Sequence, residues 1–345
     1  MNIYIGTYTH NNSEGIYKIG LEENINNSVA ELVAVQESPS YFYINTDKSR
    51  LYAVSETIAG KNGELCAYQI EHDKLHRINK VIAPCGGLVH LTLDKEEHFL
   101  FAVSYSDAAV LMYRLDKDGS ISELCSDIRH IGRGYNSIRQ DKAYAHSVYL
   151  TPDEKFLCVC DLGIDMMAVY EVDYKDGKLI KREDLNVELP PGCGPRHMAF
   201  HPNGKYAYVL TELSSEIYIL EYDMDSGFNI LTWESSLMHS KIQSFAAAIR
   251  ITEDGKFLYT SNRGEDSISI FKVNEDGTIN LRYIVSSKGK HPRDFILCSN
   301  DKFLLCANKD SDNITIYSRD SITGMLTFVE EIKGISMPVC LLTEE

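Results

Sequence analysis

No apolar stretch in the chain approaches the roughly 20 residues a helix needs to cross a bilayer, so the sequence holds no candidate helical membrane span. No basic-then-apolar leader opens it, so secretion is not expected and a cytoplasmic location is. No Pro/Ser-rich linker or low-complexity block interrupts the 345 residues, which argues against separately tethered units and for one domain over 1–345. Basic residues are in short supply. Against 50 Asp and Glu stand 34 Lys and Arg, a formal net charge of −16 that argues against a nucleic-acid surface. The 21 Tyr and 12 Phe fall on strand-like runs rather than among basic residues, so single-stranded nucleic acid is not an expected partner. The nine cysteines are an odd number, and Cys66, Cys158, Cys160, Cys306 and Cys340 lie in strand patterns, where a free thiol is a small hydrophobe. That suits a reducing compartment better than a disulfide framework. The Cys158/Cys160 pair has no partner cluster and is a weak metal signal.

What the chain does have is a repeat. Strand-like runs ending in polar residues recur as IYIGTY (3–8), LYAVSE (51–56), LFAVSY (100–105), LCVCDL (157–162), AYVLTE (207–212), LYTSNR (258–263) and LLCANK (304–309). A β-rich period of about 50 residues is the signature of a propeller blade. Each unit carries four apolar runs, as in PRHMAF, YAYVLTE, IYILEY and FNILTWESSL, with HPNGK as the first turn. Their shortness, their aromatic and β-branched content and their turn punctuation favour strands over buried helices. The chain starts on what resembles a second strand, and the missing first strand appears at the other end as SMPVCLL (336–342). The expected fold is therefore all-β: a seven-bladed β-propeller, four antiparallel strands per blade, closed by pairing of the N- and C-terminal strands. Such closure leaves no exposed edge. The longest insertion, Asp127 to Ala143, reads as a loop.

Hairpin direction places the start of each first strand and the end of each second strand at one mouth of the channel. The starts are Ser40, Val89, His146, Arg196, Ala247 and Arg293, followed by Tyr41, His90, Ser147, His197, Ala248 and Asp294. The ends are Glu56, Tyr105, Leu162, Glu212, Arg263 and Lys309, each preceded by a small polar residue such as Asn262 or Asn308. The turns, Asn203–Gly204 and Asp254–Gly255 among them, belong at the opposite face. Strict alternation turns His197 away from the side Arg196 faces and toward a blade interface.

The stretches GTYT (6–9), AHSV (145–148), DLGID (161–165), GPRHMAFHPNGKYAYVLTEL (194–213), IRITEDGKFLYTSNRGEDSISIF (249–271) and HPRDFILCSNDKFLLCANKDSDNITIY (291–317) span the chain. They resemble the propeller lactonases, the group that includes 6-phosphogluconolactonase and fungal carboxymuconate cyclase. The resemblance implies a histidine, two arginines and a glutamate acting at the mouth, matched by His146, Arg196, Glu212 and Arg263. The chain departs from the family pattern at Ala248 of AAIR, where the family has Glu, in the string GGLVH (86–90), and at Ser104.

The residue types suit hydrolysis of a sugar lactone, 6-phosphogluconolactone first among them. Glu212 or His146 would activate water, with an imidazole-type pH dependence near 6–7 if His146 is the base. Arg196 and Arg263 would face the developing oxyanion. Arg293, Asn308, Lys309, Asn262 and His90 would bind substrate, with Arg293 and Lys309 holding a phosphate or carboxylate. Each has a bland counterpart. Arg196 and Arg263 can be inter-blade ion-pair partners of Glu212, Asn262 and Asn308 can satisfy loop backbone, and Arg250 can lie in a blade interface. No cofactor is expected. Calcium is the rival, with Glu56, Glu212, Asp161, Asn262 and Asn308 as hard oxygen ligands, opposed by the arginines on the same rim. Two further readings stay open: a lactonising cyclase acting on a dicarboxylate such as carboxymuconate, and a non-catalytic binding propeller, which would show apolar residues on its rim loops. The expected partner is a small anionic lactone or acid, with no nucleic acid or membrane, in a monomer or weak homo-oligomer.

Overall fold

The computed structural model describes residues 1–20, 30–58, 60–72, 74–238 and 243–344. Seven antiparallel sheets follow one another along the chain. Their first strands are Pro39–Ile44, Leu88–Leu93, Ala145–Leu150, Pro195–Phe200, Phe245–Ile251, Pro292–Cys298 and Pro338–Thr343. Each of these touches the next in this order and the last touches the first, so they form a closed inner ring. The blade built on Ala145–Leu150 departs slightly from four strands. Its outer strand Lys178–Lys181 is interrupted by the 3-10 turn Glu183–Leu185, and Val187–Glu188 then pairs back onto Met166–Asp173.

Seven buried apolar clusters fill the seven seams between blades. They follow from alternation: successive residues of each strand face the two neighbouring blades. The ring is closed by Pro338–Thr343 lying antiparallel to Asn2–Thr7, with Ile3 opposite Thr343 and Gly6 opposite Cys340. This is the terminal pairing the sequence predicts.

The first turns of the blades share one device. Asp47, Asp153, Asn203 and Asp254 each accept the backbone N–H two residues on, a local turn that Asp and Asn favour. Gly204 and Gly255 take positive φ there, and Lys48, Glu97 and Glu154 occupy the same position elsewhere in the ring. On this face a cavity of about 610 Å³ is lined by Thr46, Pro152 and His201 among others. It shares no lining residue with the charged cavity described next.

Candidate active site

A β-bulge recurs in all seven inner strands. Pro195 pairs with Thr211 and His197 with Leu210, so Arg196 is the extra residue. His146 is the extra residue between Ala145 and Ser147, Arg293 between Pro292 and Asp294, Ser40 between Pro39 and Tyr41, and Val89 between Leu88 and His90. Val339 takes the same place in the closing strand, and the irregularity in Phe245–Ile251 covers Ala247 and Ala248. A bulge bends the strand and re-aims the extra side chain. Here it lets two consecutive residues look into the channel. Ser40, Val89, His146, Arg196, Arg293 and Val339 line one narrow pocket together with Tyr41, His197 and Asp294. This corrects the expectation that His197 turns to a blade interface. Its ring lies 5.3 Å from His146 and 5.4 Å from His90, edge to face in both cases.

Above that pocket lies a cavity of about 180 Å³ lined by Glu56, Val89, Tyr105, Arg139, His146, Glu212, Arg263 and Arg293. Residues spread from 56 to 293 converge here because all but Arg139, which arrives from a loop, stand at the same end of their blade's inner hairpin. Glu212 is the centre of charge. Its Oε2 lies 3.1 Å from Arg196 Nε and 2.7 Å from Arg263 Nη2, and its Oε1 accepts from Arg139 Nη2 at 2.5 Å. Arg196 also donates to Ala247 O, and Arg263 donates to the carbonyls of Phe245 and Ala246. Across the cavity, Glu56 Oε2 accepts from Tyr8 OH at 2.7 Å and from Arg293 Nη2 at 3.2 Å. Arg293 stacks over the Tyr8 ring.

Burial alone would raise the Glu212 carboxyl, but Arg263 and Arg196, aided by His146 and Arg139, hold it far below the ordinary carboxylate range. Burial, then Arg263 and Arg293, push Arg196 down to about 9, which leaves it charged at neutral pH. Burial and then Arg196 depress His146 well below 6.5, so its imidazole is neutral. The His146 Nδ1 is buried without a hydrogen-bond partner among the described residues. The four guanidiniums of Arg139, Arg196, Arg263 and Arg293 outnumber the two carboxyl groups, Glu56 and Glu212, that they face. The mouth carries a net positive charge inside an acidic protein.

The structure brings His146, Arg196, Glu212, Arg263 and Arg293 together and separates the remaining expected residues from them. Asn262 is fully buried, donating to Ser236 O and to the hydroxyls of Ser267 and Ser269. Asn308 is likewise buried, donating to Ser287 O and Thr315 Oγ1. The reason is alternation. The residue ending the repeat's polar pair faces the mouth, and the one before it turns into the seam. Thr7, Ser55, Ser104, Asp161 and Thr211 occupy the same seam position and are fully buried too. Lys309 pairs with Asp310 and is not part of the cavity lining. His90 lies deeper in the channel, stacked on Tyr41 at 3.9 Å. Arg250 pairs with Asp294 of the next blade, the interface role expected of it. The five oxygen ligands offered for calcium do not converge. Asp161, Asn262 and Asn308 serve the seams, while Glu56 is paired with Arg293 and Glu212 with Arg139, Arg196 and Arg263. Among the described residues no group of three or more His, Cys, Asp or Glu is arranged to hold a metal ion.

Three mouth residues escaped the sequence reading as site candidates. Tyr8 stands at the strand-two end of the terminal blade, where aligning that blade with the others would have found it. Tyr105 was placed at the mouth without a role, and its ring lies edge to face with His146 at 5.5 Å. Arg139 comes from the Asp127–Ala143 insertion, which has no periodicity to align. The same insertion carries Ile131, Tyr135 and Ile138 more than four-fifths exposed, so the rim is not free of apolar residues.

Fold and site together define a class, a seven-bladed propeller with an arginine-rich, carboxylate-centred mouth. The family model described as lactonase, 7-bladed beta-propeller matches residues 2–343, and the chain belongs to that family. It is 35% identical to the 6-phosphogluconolactonase of Bacillus subtilis, over 98% of this chain and 97% of the relative. A Lactobacillus plantarum protein of known structure superposes with a TM-score of 0.92 at 33% identity, covering 99% of this chain and 98% of the other. The periplasmic gluconolactonase of Pseudomonas aeruginosa superposes with a TM-score of 0.91 at 25% identity, again over 99% and 98%.

Proposed function

We propose that the protein hydrolyses a sugar δ-lactone, 6-phosphogluconolactone to 6-phosphogluconate in the first instance, by activating water at the arginine-rich mouth. The observation that carries this reading is the cavity itself. A neutral imidazole and an excess of fixed positive charge face one small space, and a relative along the whole length of the chain is named for this reaction.

His146 is the base in this scheme. An imidazole kept neutral by burial and by Arg196 can accept a proton from water, whereas a Glu212 carboxylate held far below its ordinary range is a poor acceptor. Glu212 instead fixes the guanidiniums. Arg263 spends Nε and Nη2 on carbonyls and on Glu212, which leaves Nη1 for the carbonyl oxygen as it gains charge. When the tetrahedral adduct collapses, the ring oxygen leaves and takes the proton back from the His146 imidazolium. The product is the open hydroxy acid, which at neutral pH ionises to its carboxylate and releases one proton. Because the His146 value is depressed, the acid limb of the rate profile falls below the ordinary imidazole range rather than at pH 6–7. The scheme uses no metal, and nine free cysteines favour a reducing compartment such as the cytoplasm.

The test is a pH-stat assay of the purified protein across a panel of 6-phosphogluconolactone, gluconolactone and a muconolactone, each with and without chelator. The reading expects acid release above the spontaneous rate on a sugar lactone, unchanged by chelator. Turnover of the muconolactone alone would favour the dicarboxylate cyclase, and loss in chelator restored by calcium would favour a metal enzyme.

A further inference from the structure

Arg139 differs from the other arginines at the mouth. Arg196 and Arg263 are buried, with side-chain exposures of 2% and 9%, Arg196 tied to a backbone carbonyl of the neighbouring blade and Arg263 to carbonyls of its own blade's inner strand. The Arg139 side chain is 35% exposed and enters from a loop. It reaches Glu212 Oε1, lies over the Phe245 ring and interacts with Tyr105. Glu212 does not depend on it, since Oε2 already pairs with two guanidiniums. The loop that delivers it is nevertheless firmly built. The next residue, Gln140, is fully buried. It donates to Leu162 O at 2.8 Å and Asp165 Oδ1 at 2.6 Å, and its Oε1 accepts from Asn136 N at 2.9 Å. Gly134 N donates to its carbonyl. A Cβ at Gly134 would fall within 2.6 Å of the Gln140 side chain, so the loop closes tightly around this anchor.

We propose that Arg139 is the specificity-determining residue for a second anionic group on the ligand, a phosphate remote from the reacting carbonyl. The Arg139 guanidinium rests on Glu212 Oε1. A phosphate entering the cavity takes its place as partner, through the paired N–H groups a guanidinium offers to an oxyanion. Oε1 is then free to accept from a ligand hydroxyl. The exchange costs little because Glu212 keeps two ion pairs and the mouth holds more positive than negative charge. The inference rests on the lactonase reading only for the identity of the ligand. Two of the relatives named for a lactone differ in this phosphate, one being named for a phosphorylated lactone and the other for gluconolactone.

The test separates binding from catalysis. Titration calorimetry of 6-phosphogluconate, gluconate and inorganic phosphate is run on wild type, Arg139→Ala and Arg139→Lys, with melting temperatures measured beside it. Wild type is expected to bind 6-phosphogluconate about tenfold or more tighter than gluconate, the value of one charge-assisted contact. Arg139→Ala should lose that preference, and Arg139→Lys should keep part of it. Unchanged melting temperatures would show that the loss is not a folding defect. Inorganic phosphate binding as tightly as 6-phosphogluconate, lost in Arg139→Ala, would identify an anion site that ignores the sugar and would overturn the role in lactone specificity. Equal weakening of both sugar acids in Arg139→Ala, no change in either, or no preference in wild type would also overturn it. A protein that shows the Arg139-dependent preference yet opens no lactone would sink the hydrolytic reading and leave this assignment standing.

Discussion

Three imidazoles, His90, His146 and His197, are buried in one stack around the channel. Burial pushes each well below the ordinary value of 6.5, with Arg250 and Arg196 adding to it at His90 and Arg196 at the other two. The sign follows directly. Below pH 6.5 the unfolded chain binds protons that the folded chain refuses, so stability falls as pH drops through that value. Each imidazole contributes up to about 1.4 kcal/mol per pH unit. Glu212 acts in the same direction lower down, because below the ordinary 4.5 its carboxyl takes up a proton in the unfolded chain that the folded chain refuses. Urea unfolding across this range should therefore steepen in acid, and His90→Gln should reduce the proton uptake on unfolding by about one. A flat profile between neutrality and mild acid would contradict the burial of these rings as neutral groups. The pairing of Arg196 and Arg263 with Glu212 was legible at this scale, because hairpin direction alone puts three strand ends of two adjacent blades together. The neutral state of His146 and the weakness of Glu212 as a base were not. They depend on distances to guanidiniums that no spacing in the sequence encodes.

Seven inner strands carry the same bulge, yet the bulged residues are Ser, Val, His, Arg, Ala, Arg and Val. No residue type marks the position, so the sequence shows the strands and hides the extra residue. That is why alternation sent His197 to the wrong side. The second strands behave in the opposite way. Their small polar pair is visible as a repeat, and the structure divides it, the first member to the seam and the second to the mouth. Asn308 therefore belongs to the blade and not to the ligand. Asn308→Ala removes the amide donor to the Thr315 hydroxyl and one of the two donors to the Ser287 carbonyl, which keeps Thr315 Oγ1. It should cost about 1–3 kcal/mol of stability while shifting KM little. A large rise in KM at unchanged stability would return Asn308 to the substrate. Arg139 escaped because its loop has neither strand period nor hairpin register. What locates it is the Gln140 anchor, a long-range contact to Leu162 and Asp165.

At the scale of the molecule, the ring is held by one non-local pairing. The blade count was legible because the turns punctuate each unit at a steady interval, and the closure because a second strand stood first in the chain without its partner. Removal of Pro338–Thr343 uncovers the whole edge of Asn2–Thr7 and opens the cluster formed by Ile3, Ile5 and Leu341. Such a truncation should aggregate, as an uncovered edge strand recruits other chains. A monodisperse truncated protein with the wild-type melting temperature would show that the clasp is dispensable. The ring matters to function because it holds residues from six blades around a single cavity, where the proposed chemistry takes place. The measurement that reaches this most directly is kcat/KM of His146→Gln against wild type on 6-phosphogluconolactone, with unfolding curves of both proteins. The account predicts a fall of about 10²–10⁴-fold, the usual contribution of a general base, in a protein whose stability at neutral pH is close to wild type. An equal kcat/KM in the two proteins would contradict it.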